Sequence, residues 1–320
     1  MTPRQVALLA SLAAIWGASY LLIKYALEDF SAPVIVCGRT ALAAVALLIA
    51  LRITGGPHAA RTALADARAR PGSALLLGFT AVALPFTLIT LGELEVPSGL
   101  TAVLISPASL FVAMLAPFID TSERVGRRQA IGMVMGLGGV ALVVGVESVS
   151  TTGEFLGALA MVAAAASYGV SSFVVKGRYG RLTSMQTSFV SIVVSTVLLL
   201  PAAIATAPSQ APGTRALLSL LALGVVGTAL AFVIFYKLIA EVGAGRASLV
   251  SYLAPGMALV YGAVFLDETI TTVAIGGLVL ILGGVALASR RRRVPSEPDG
   301  ATVPPSAAPL PSSPPPVPSR

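Results

Sequence analysis

His58 is the only histidine and Cys37 the only cysteine among 320 residues. A lone cysteine excludes an internal disulfide. A lone histidine, set in a polar stretch between apolar runs, excludes a histidine-based metal cluster, and Asp and Glu are nowhere clustered. Charge is scarce as well. Charged residues make up 11% of the chain, against about 25% in an ordinary soluble domain. Hydrophobic residues make up 56%, and the mean hydropathy is +0.90. So few charges cannot cover so much apolar surface in water, and the bilayer is the natural solvent. The formal charge of +7 does not point to nucleic acid, because the arginines sit in short loops between apolar runs.

Ten runs are long and apolar enough to span a membrane. They are Val6–Ala26, Pro33–Ile53, Gly72–Gly92, Ser98–Ile119, Gly126–Val146, Glu154–Lys176, Ser184–Thr206, Arg215–Ile239, Gly245–Leu266 and Thr271–Ser289. The first is too long for a signal-peptide core and has no clean cleavage pattern after it, so it is expected to be retained. With the N-terminus inside, all 21 Lys and Arg residues except Lys24, Arg39 and Arg215 fall on the inner side. Glu28, Asp29, Glu93, Glu95, Glu147, Glu154, Asp267 and Glu268 fall outside. This asymmetry predicts a multi-pass protein of the inner or plasma membrane with both termini cytoplasmic. The Pro- and Ser-rich tail, 294–320, is expected to be disordered.

The chain repeats itself. WGASYLLIK (16–24) returns as YGVSSFVVK (168–176), an offset of 152. ISPASLF from Ile105 returns as LAPGMAL from Leu253, which pairs Pro107 with Pro255 and Glu93 with Glu241 at an offset of 148. GLGGVALVV from Gly136 returns as ILGGVALAS from Ile281, and Glu123 pairs with Glu268. The expected fold is therefore an all-α integral membrane protein of two five-helix repeats, 6–146 and 154–289. Five is odd, so the second copy enters the membrane in the opposite sense, as in transporters built from inverted-topology repeats.

In WGASYLLIK, the arginine of CGRTALAA (37–44), ISPASLF, LAPGMAL, FLDETIT (265–271) and GGLVLILGGVAL (276–287), the chain resembles the EamA family of the drug/metabolite transporter superfamily. The resemblance runs from about Val6 to Ser289. It implies a ten-helix bundle around a central cavity lined by the first, third and fourth helices of each half. It also implies movement of amino acids, other metabolites or toxic compounds, often outward, with no cofactor and no ATP site. The IDTSER segment is longer than the compact LDE turn of the family, and Glu93 and Glu95 stand where members more often carry uncharged residues.

Several residues carry candidate roles. Pro85, Pro107 and Pro255 lie inside spanning runs, where each is expected to kink its helix and free carbonyls that must face protein or a wet cavity. Trp16, Ser19 and Tyr20 share one helix face, as do Tyr168, Ser171 and Ser172. Rings with a few hydroxyls suit a small organic solute, while helix packing and interface anchoring are the plainer alternatives. Ser106, Ser251 and Tyr252 neighbour the prolines and are further substrate-binding candidates. Lys24 and Lys176 either snorkel to the two surfaces or close the rim of a pathway against a carboxylate. Arg39 lies about 9 Å into its helix at 1.5 Å per residue, so it must be paired, snorkelled or wet. Glu28, Asp29, Glu93 and Glu95 are its candidate partners. Glu93 and Glu241 are gate or proton-coupling candidates, with loop solvation the plainer reading. No acidic residue lies in the middle third of a predicted helix, which argues against a buried proton relay.

The expected function is export of a small amino acid or related amphipathic metabolite by alternating access, with a multidrug efflux carrier as the alternative. A polytopic enzyme lacks its catalytic and metal constellations here, and a non-transporting scaffold leaves the repeated polar residues unused. The expected partners are the solute and the bilayer, and a homodimer is compatible with the chain. A reporter fused after Arg290 should read as cytoplasmic; an extracellular reading would reverse the assigned orientation.

Overall fold

The computed structural model describes residues 1–119, 126–147, 150–179 and 181–288. The tail from Val294, the end of the second repeat at Ser289, and Glu123 lie outside the described residues. Regular structure among the described residues is helical throughout.

Among the described residues, eight helices are long and apolar enough to cross a membrane. The first two are α1 (Pro3–Ala26) and α2 (Ala32–Gly55). The third span, Pro71–Gly92, runs through α4 (Pro71–Gly78), a π-helical turn (Phe79–Ala83) and α5 (Leu84–Gly92). The fourth joins α6 (Ser98–Ile105) to α7 (Ala108–Ile119). Then come α8 (Arg127–Glu147), α9 (Thr152–Arg178) and α10 (Ser184–Ala205). The eighth span is α11 (Thr214–Gly224), a second π-helical turn (Val225–Leu230) and α12 (Ala231–Val242). Two apolar helices are shorter, α14 (Val250–Phe265) and α15 (Thr272–Ala288).

The starts of these helices follow from local chemistry. Thr2 and Gln5 form a reciprocal capping box on α1, and Thr183 and Gln186 repeat it on α10. Pro3, Pro33 and Pro71 occupy first turns, where the missing N–H costs nothing. Between the second and third spans lies an amphipathic helix that the apolar pattern did not foretell, α3 (Ala59–Ala69), which buries Ala60 and Ala63.

The three prolines behave differently. Pro107 stands in the break between α6 and α7. Pro85 follows the first π turn, where Leu84 N–H bonds back five residues to Phe79 O; the wider turn accommodates the proline ring. Pro255 lies inside continuous α14. The ninth run is broken instead at Ser248–Leu249, between α13 (Ala244–Ala247) and α14. The expected symmetry of Pro107 and Pro255 therefore does not extend to the position of the break.

Helix packing relies on glycine at close crossings, as lipid-embedded helices require. A Cβ on Gly17 of α1 would come 2.6 Å from Met257 Cβ and 3.0 Å from Ala254 O on α14. Its repeat counterpart Gly169 on α9 meets Phe111 and Val112 of α7 in the same way. Gly224 of α11 faces Arg39 O of α2, and Gly78 of α4 faces Ser191 O of α10. Helices α8 and α15 lie along each other, with Gly132 and Gly136 against Gly284.

One end of the bundle is tied across its connections. Lys24 Nζ donates to Glu93 O. Tyr25 Oη donates to Phe265 O at 3.3 Å, and Thr271 Oγ1 to Glu147 Oε1 at 2.5 Å. Arg215 Nε donates to Glu28 Oε2 at 2.9 Å, and Gly213 N to Asp29 Oδ2 at 2.8 Å. Helix α1 runs toward this end, and α9 starts from it with Gly153 against Glu95. At the other end Arg4 and Glu241 are 4.0 Å apart, and Gln186 Nε2 donates to Ala59 O at 2.8 Å.

A Cβ at Gly284 would stand 2.5 Å from both Gly132 O and Gly136 N, whereas one at Gly276 meets nothing within 4 Å. Gly284→Ala should lower stability by about 1–3 kcal/mol, seen as earlier thermal unfolding in detergent, and Gly276→Ala should not.

Candidate functional site

Among the described residues two charged side chains are buried, Arg39 and Glu93. Arg39 of α2 is 8% exposed. Its Nε donates to Thr228 Oγ1 at 2.8 Å, and its guanidinium carbon lies 4.2 Å from the centre of the Phe86 ring. Thr228 sits in the second π turn and passes its own proton to Leu223 O, five residues back, at 2.8 Å. No carboxylate lies within ion-pair distance of Arg39 among the described residues. The ion pair expected from sequence is therefore replaced by a hydroxyl and a ring face. Glu28 pairs with Arg215, Asp29 accepts from Gly213, and Glu95 is exposed.

Glu93 follows the last residue of α5 and is fully buried. Both carboxylate oxygens lack a hydrogen-bond partner. Burial pushes this carboxyl well above the usual carboxylate range; Lys24 opposes the shift, Glu268 adds to it, and Arg39 opposes it more weakly. Tyr20 lies within electrostatic reach of Tyr168, Glu93 and Arg39, and Tyr168 within reach of Arg39. These four residues come from α1, α2, α9 and the α5 terminus, so both repeats contribute.

Glu268 is a second carboxylate within electrostatic reach of Glu93. Asp267 takes a left-handed backbone, φ 55°, which turns the chain sharply between α14 and α15. Glu268 then accepts from Ser98 N at 2.7 Å, Ser98 Oγ at 3.0 Å and Gly99 N at 3.0 Å, at the start of α6. A carboxylate at a helix N-terminus is favourable both by dipole and by hydrogen bonding.

Other sequence candidates separate into two groups. Tyr252 is half-buried against the same apolar cluster as Tyr20 and Tyr168. Trp16 packs in a different cluster with its ring 5.3 Å from Phe235, so it is a packing residue of α1 against α12. Ser19, Ser171, Ser172 and Ser106 donate to carbonyls of their own helices, at Ile15, Tyr168, Tyr168 and Val103. Ser251, Lys176 and Glu241 are exposed and stand apart from Arg39 and Glu93. Pro85 is buried one residue before Phe86. Phe86, Thr228 and the contacts of Glu268 were not assigned from sequence. One signal for Thr228 was present: the offset of 148 pairs it with Thr80, which also lies in a π turn.

Two cavities open at opposite ends. One of about 650 Å³ lies at the Arg4 end, lined by Thr54, His58, Thr62, Gln186 and Tyr236 among others. The hydroxyl of Tyr236, which lines it, is in contact with that of Ser188. The second, about 330 Å³, lies beside Glu268 with Pro97, Glu147 and Thr271. No group of three or more metal-ligating side chains occurs among the described residues.

Comparison with known proteins bears on what such a bundle does. The model of the EamA-like transporter family matches the chain twice, over residues 4–145 and 155–290. A "Probable terminal-alkyne amino-acid exporter" of Streptantibioticus cattleyicolor is 30% identical over 284 residues, covering 86% of this chain and 90% of its own. A "Probable amino-acid metabolite efflux pump" of Salmonella typhimurium is 27% identical over 286 residues, covering 85% and 90%. The inner membrane transporter YedA of Escherichia coli K12, itself uncharacterized, is 24% identical over 293 residues, covering 90% and 92%. A solved crystal structure aligns with 90% of this chain and 97% of its own at a TM-score of 0.62; at 19% identity it speaks to the fold alone. With apolar spans throughout, a doubled family match and transporters as relatives, the chain is a multi-pass membrane protein, not an enzyme, and belongs to the EamA-like transporter family.

Proposed function

We propose that the chain is a cell-membrane permease that exports a small amino acid or related amphipathic metabolite. The observation that carries this reading is the polar centre of Arg39, Glu93, Tyr20 and Tyr168, enclosed in an apolar bundle and drawn from both repeats. Intramembrane ionisable groups are costly and are retained where a pathway uses them. The names of two relatives, a "Probable terminal-alkyne amino-acid exporter" and a "Probable amino-acid metabolite efflux pump", support the solute class.

The mechanism is alternating access between two inverted five-helix halves, 6–146 and 154–289. The packing supports this. Under the repeat register α1 exchanges with α9, and the α1–α14 crossing at Gly17 exchanges with the α9–α7 crossing at Gly169. The α2–α11 and α10–α4 crossings exchange likewise. The opposite directions of α1 and α9 fit a pseudo-two-fold axis in the membrane plane. Arg52, Arg61, Arg68, Arg70, Arg127 and Arg128 belong to the connections at the Arg4 end, so that end is cytoplasmic. The larger cavity opens there, while the opposite end is tied, a cytoplasm-facing arrangement. The two π turns and the break at Pro107 are the points where helices can bend.

Cells expressing the chain should tolerate several-fold higher concentrations of an inhibitory amino-acid analogue than cells with an empty vector, and should release that analogue faster. They should gain no protection against tetraphenylphosphonium. Protection against the lipophilic cation alone would favour the multidrug reading.

Thr228→Val would strip Arg39 Nε of its acceptor and Leu223 O of its donor. It should cost about 1–3 kcal/mol of stability in detergent and lower export, and Thr228→Ser should retain both.

A further inference from the structure

The turn from α5 into α6, residues 93–97, is pinned at both ends. Lys24 Nζ of α1 donates to the Glu93 carbonyl. Glu268 accepts from Ser98 N, Ser98 Oγ and Gly99 N just beyond Pro97. Between these pins the turn lies against α9, where a Cβ on Gly157 would stand 2.9 Å from Val96 Cγ2. Opening the tied end must move this turn. The Glu93 side chain is enclosed within it at 0% exposure. Among the described residues neither of its carboxylate oxygens has a hydrogen-bond partner, and no cation stands within ion-pair distance of it. Lys24 and Tyr20 of α1, Arg39 of α2 and Glu268 of the turn after α14 lie within electrostatic reach. Helix α9 presents Gly157 and Met161 to the end of α5.

We infer that Glu93 is a proton-binding site that operates the outer end of the carrier: it holds a proton while that end is tied and gives it up to the outer side when the end opens. This rests on the reading of the chain as an alternating-access exporter with its tied end outside, and adds what regulates it. An ionised carboxylate with no water, donor or counter-charge is far costlier to bury than the neutral acid. Lys24 does not relieve it, because its ammonium is spent on the carbonyl. Glu93 follows Gly92 at the end of its span and does not line the cytoplasmic cavity, so water reaches it from outside when the ties part. In water a glutamate is ionised above about pH 4.3. Each opening therefore breaks the carboxyl O–H bond and passes the proton to outer water, and each closure takes one back from the same side. No proton crosses the membrane. The preference for the tied arrangement is complete at low outer pH and falls as pH rises, by up to about tenfold per unit, until the buried carboxyl itself ionises.

Two measurements on the full chain test this. In phosphatidylethanolamine and phosphatidylglycerol vesicles at neutral pH, infrared spectroscopy should show a neutral-carboxyl C=O band that Glu93→Gln removes. In intact spheroplasts, a Cys37→Ala chain carrying Ile89→Cys, buried one turn before Glu93, reports opening by its reaction with a membrane-impermeant maleimide. Its rate is divided by that of Thr269→Cys, an exposed position on the same end, which cancels the pH dependence of the thiol itself. The ratio should rise by up to about tenfold per unit of outer pH from about pH 5 upward, and should not respond to inner pH. With Glu93→Gln added it should stay low at every pH. Absence of the band, a ratio indifferent to outer pH, the same slope in Glu93→Gln, or a response to inner pH each overturns the inference. If Glu93→Gln does not fold, the response of the parent chain to outer against inner pH decides alone. Release of the amino-acid analogue from the same cells separates the two readings. Release without an outer-pH response sinks the proton site alone, and an outer-pH response without release sinks the exporter reading alone.

Discussion

Hydrocarbon offers no water, so a charge placed inside the bundle must find its partners within the protein. Arg39 meets this constraint through one short bond to Thr228, and several other features follow from it. Gly224 allows α2 to approach α11 closely enough for that bond, because any side chain there would strike Arg39 O and Leu42. The π turn brings Thr228 within reach of Leu223 O, so the hydroxyl can accept from Arg39 and still place its own proton. Phe86, just after the first π turn and Pro85, covers the guanidinium face. The counterpart crossing of Gly78 against Ser191 O, with its own π turn, is built without an arginine, so Arg39 makes use of a crossing that both repeats share.

Much of the scaffold was legible in the sequence because it depends on period and composition. Apolar runs give spanning helices whatever their neighbours do, and the copies WGASYLLIK and YGVSSFVVK pair Gly17 with Gly169, which make equivalent crossings. Detail that depends on tertiary contact was not legible. Pro107 and Pro255 read alike, yet the helix breaks at one and continues through the other. The sequence left the partners of the serines open; a helical serine has a carbonyl of its own helix within reach three or four residues back, and Ser19 and Ser171 use it. Glu93 and Glu241 occupy matching positions. One is enclosed beside Lys24, the other stands at the surface near Arg4, and no local pattern distinguishes them. Thr228 was hidden because a threonine in an apolar run reads as packing.

The duplicated scaffold carries charged groups that are not duplicated. At the register that pairs Gly17 with Gly169, Arg39 corresponds to Ser191, whose hydroxyl returns to Ser188 O of its own helix at 2.8 Å. Glu93 is buried and Glu241 is not, and Lys24 is tied to a carbonyl while Lys176 stays exposed. Two identical halves would make the two facings of a carrier equal in energy. Under the proposed alternating access, charges present in one half only would tilt that balance. The Glu28–Arg215 pair contributes little to the tilt, since both side chains are well exposed and such pairs are worth about 0–1 kcal/mol. The part-buried bonds of Glu268 to Ser98 and Gly99 are charge-assisted and stronger individually. They link the turn between the last two helices to the start of α6, so opening the tied end requires giving them up. Among the ties at that end, Glu268 and Lys24 therefore hold the closed arrangement more firmly than the surface ion pair does.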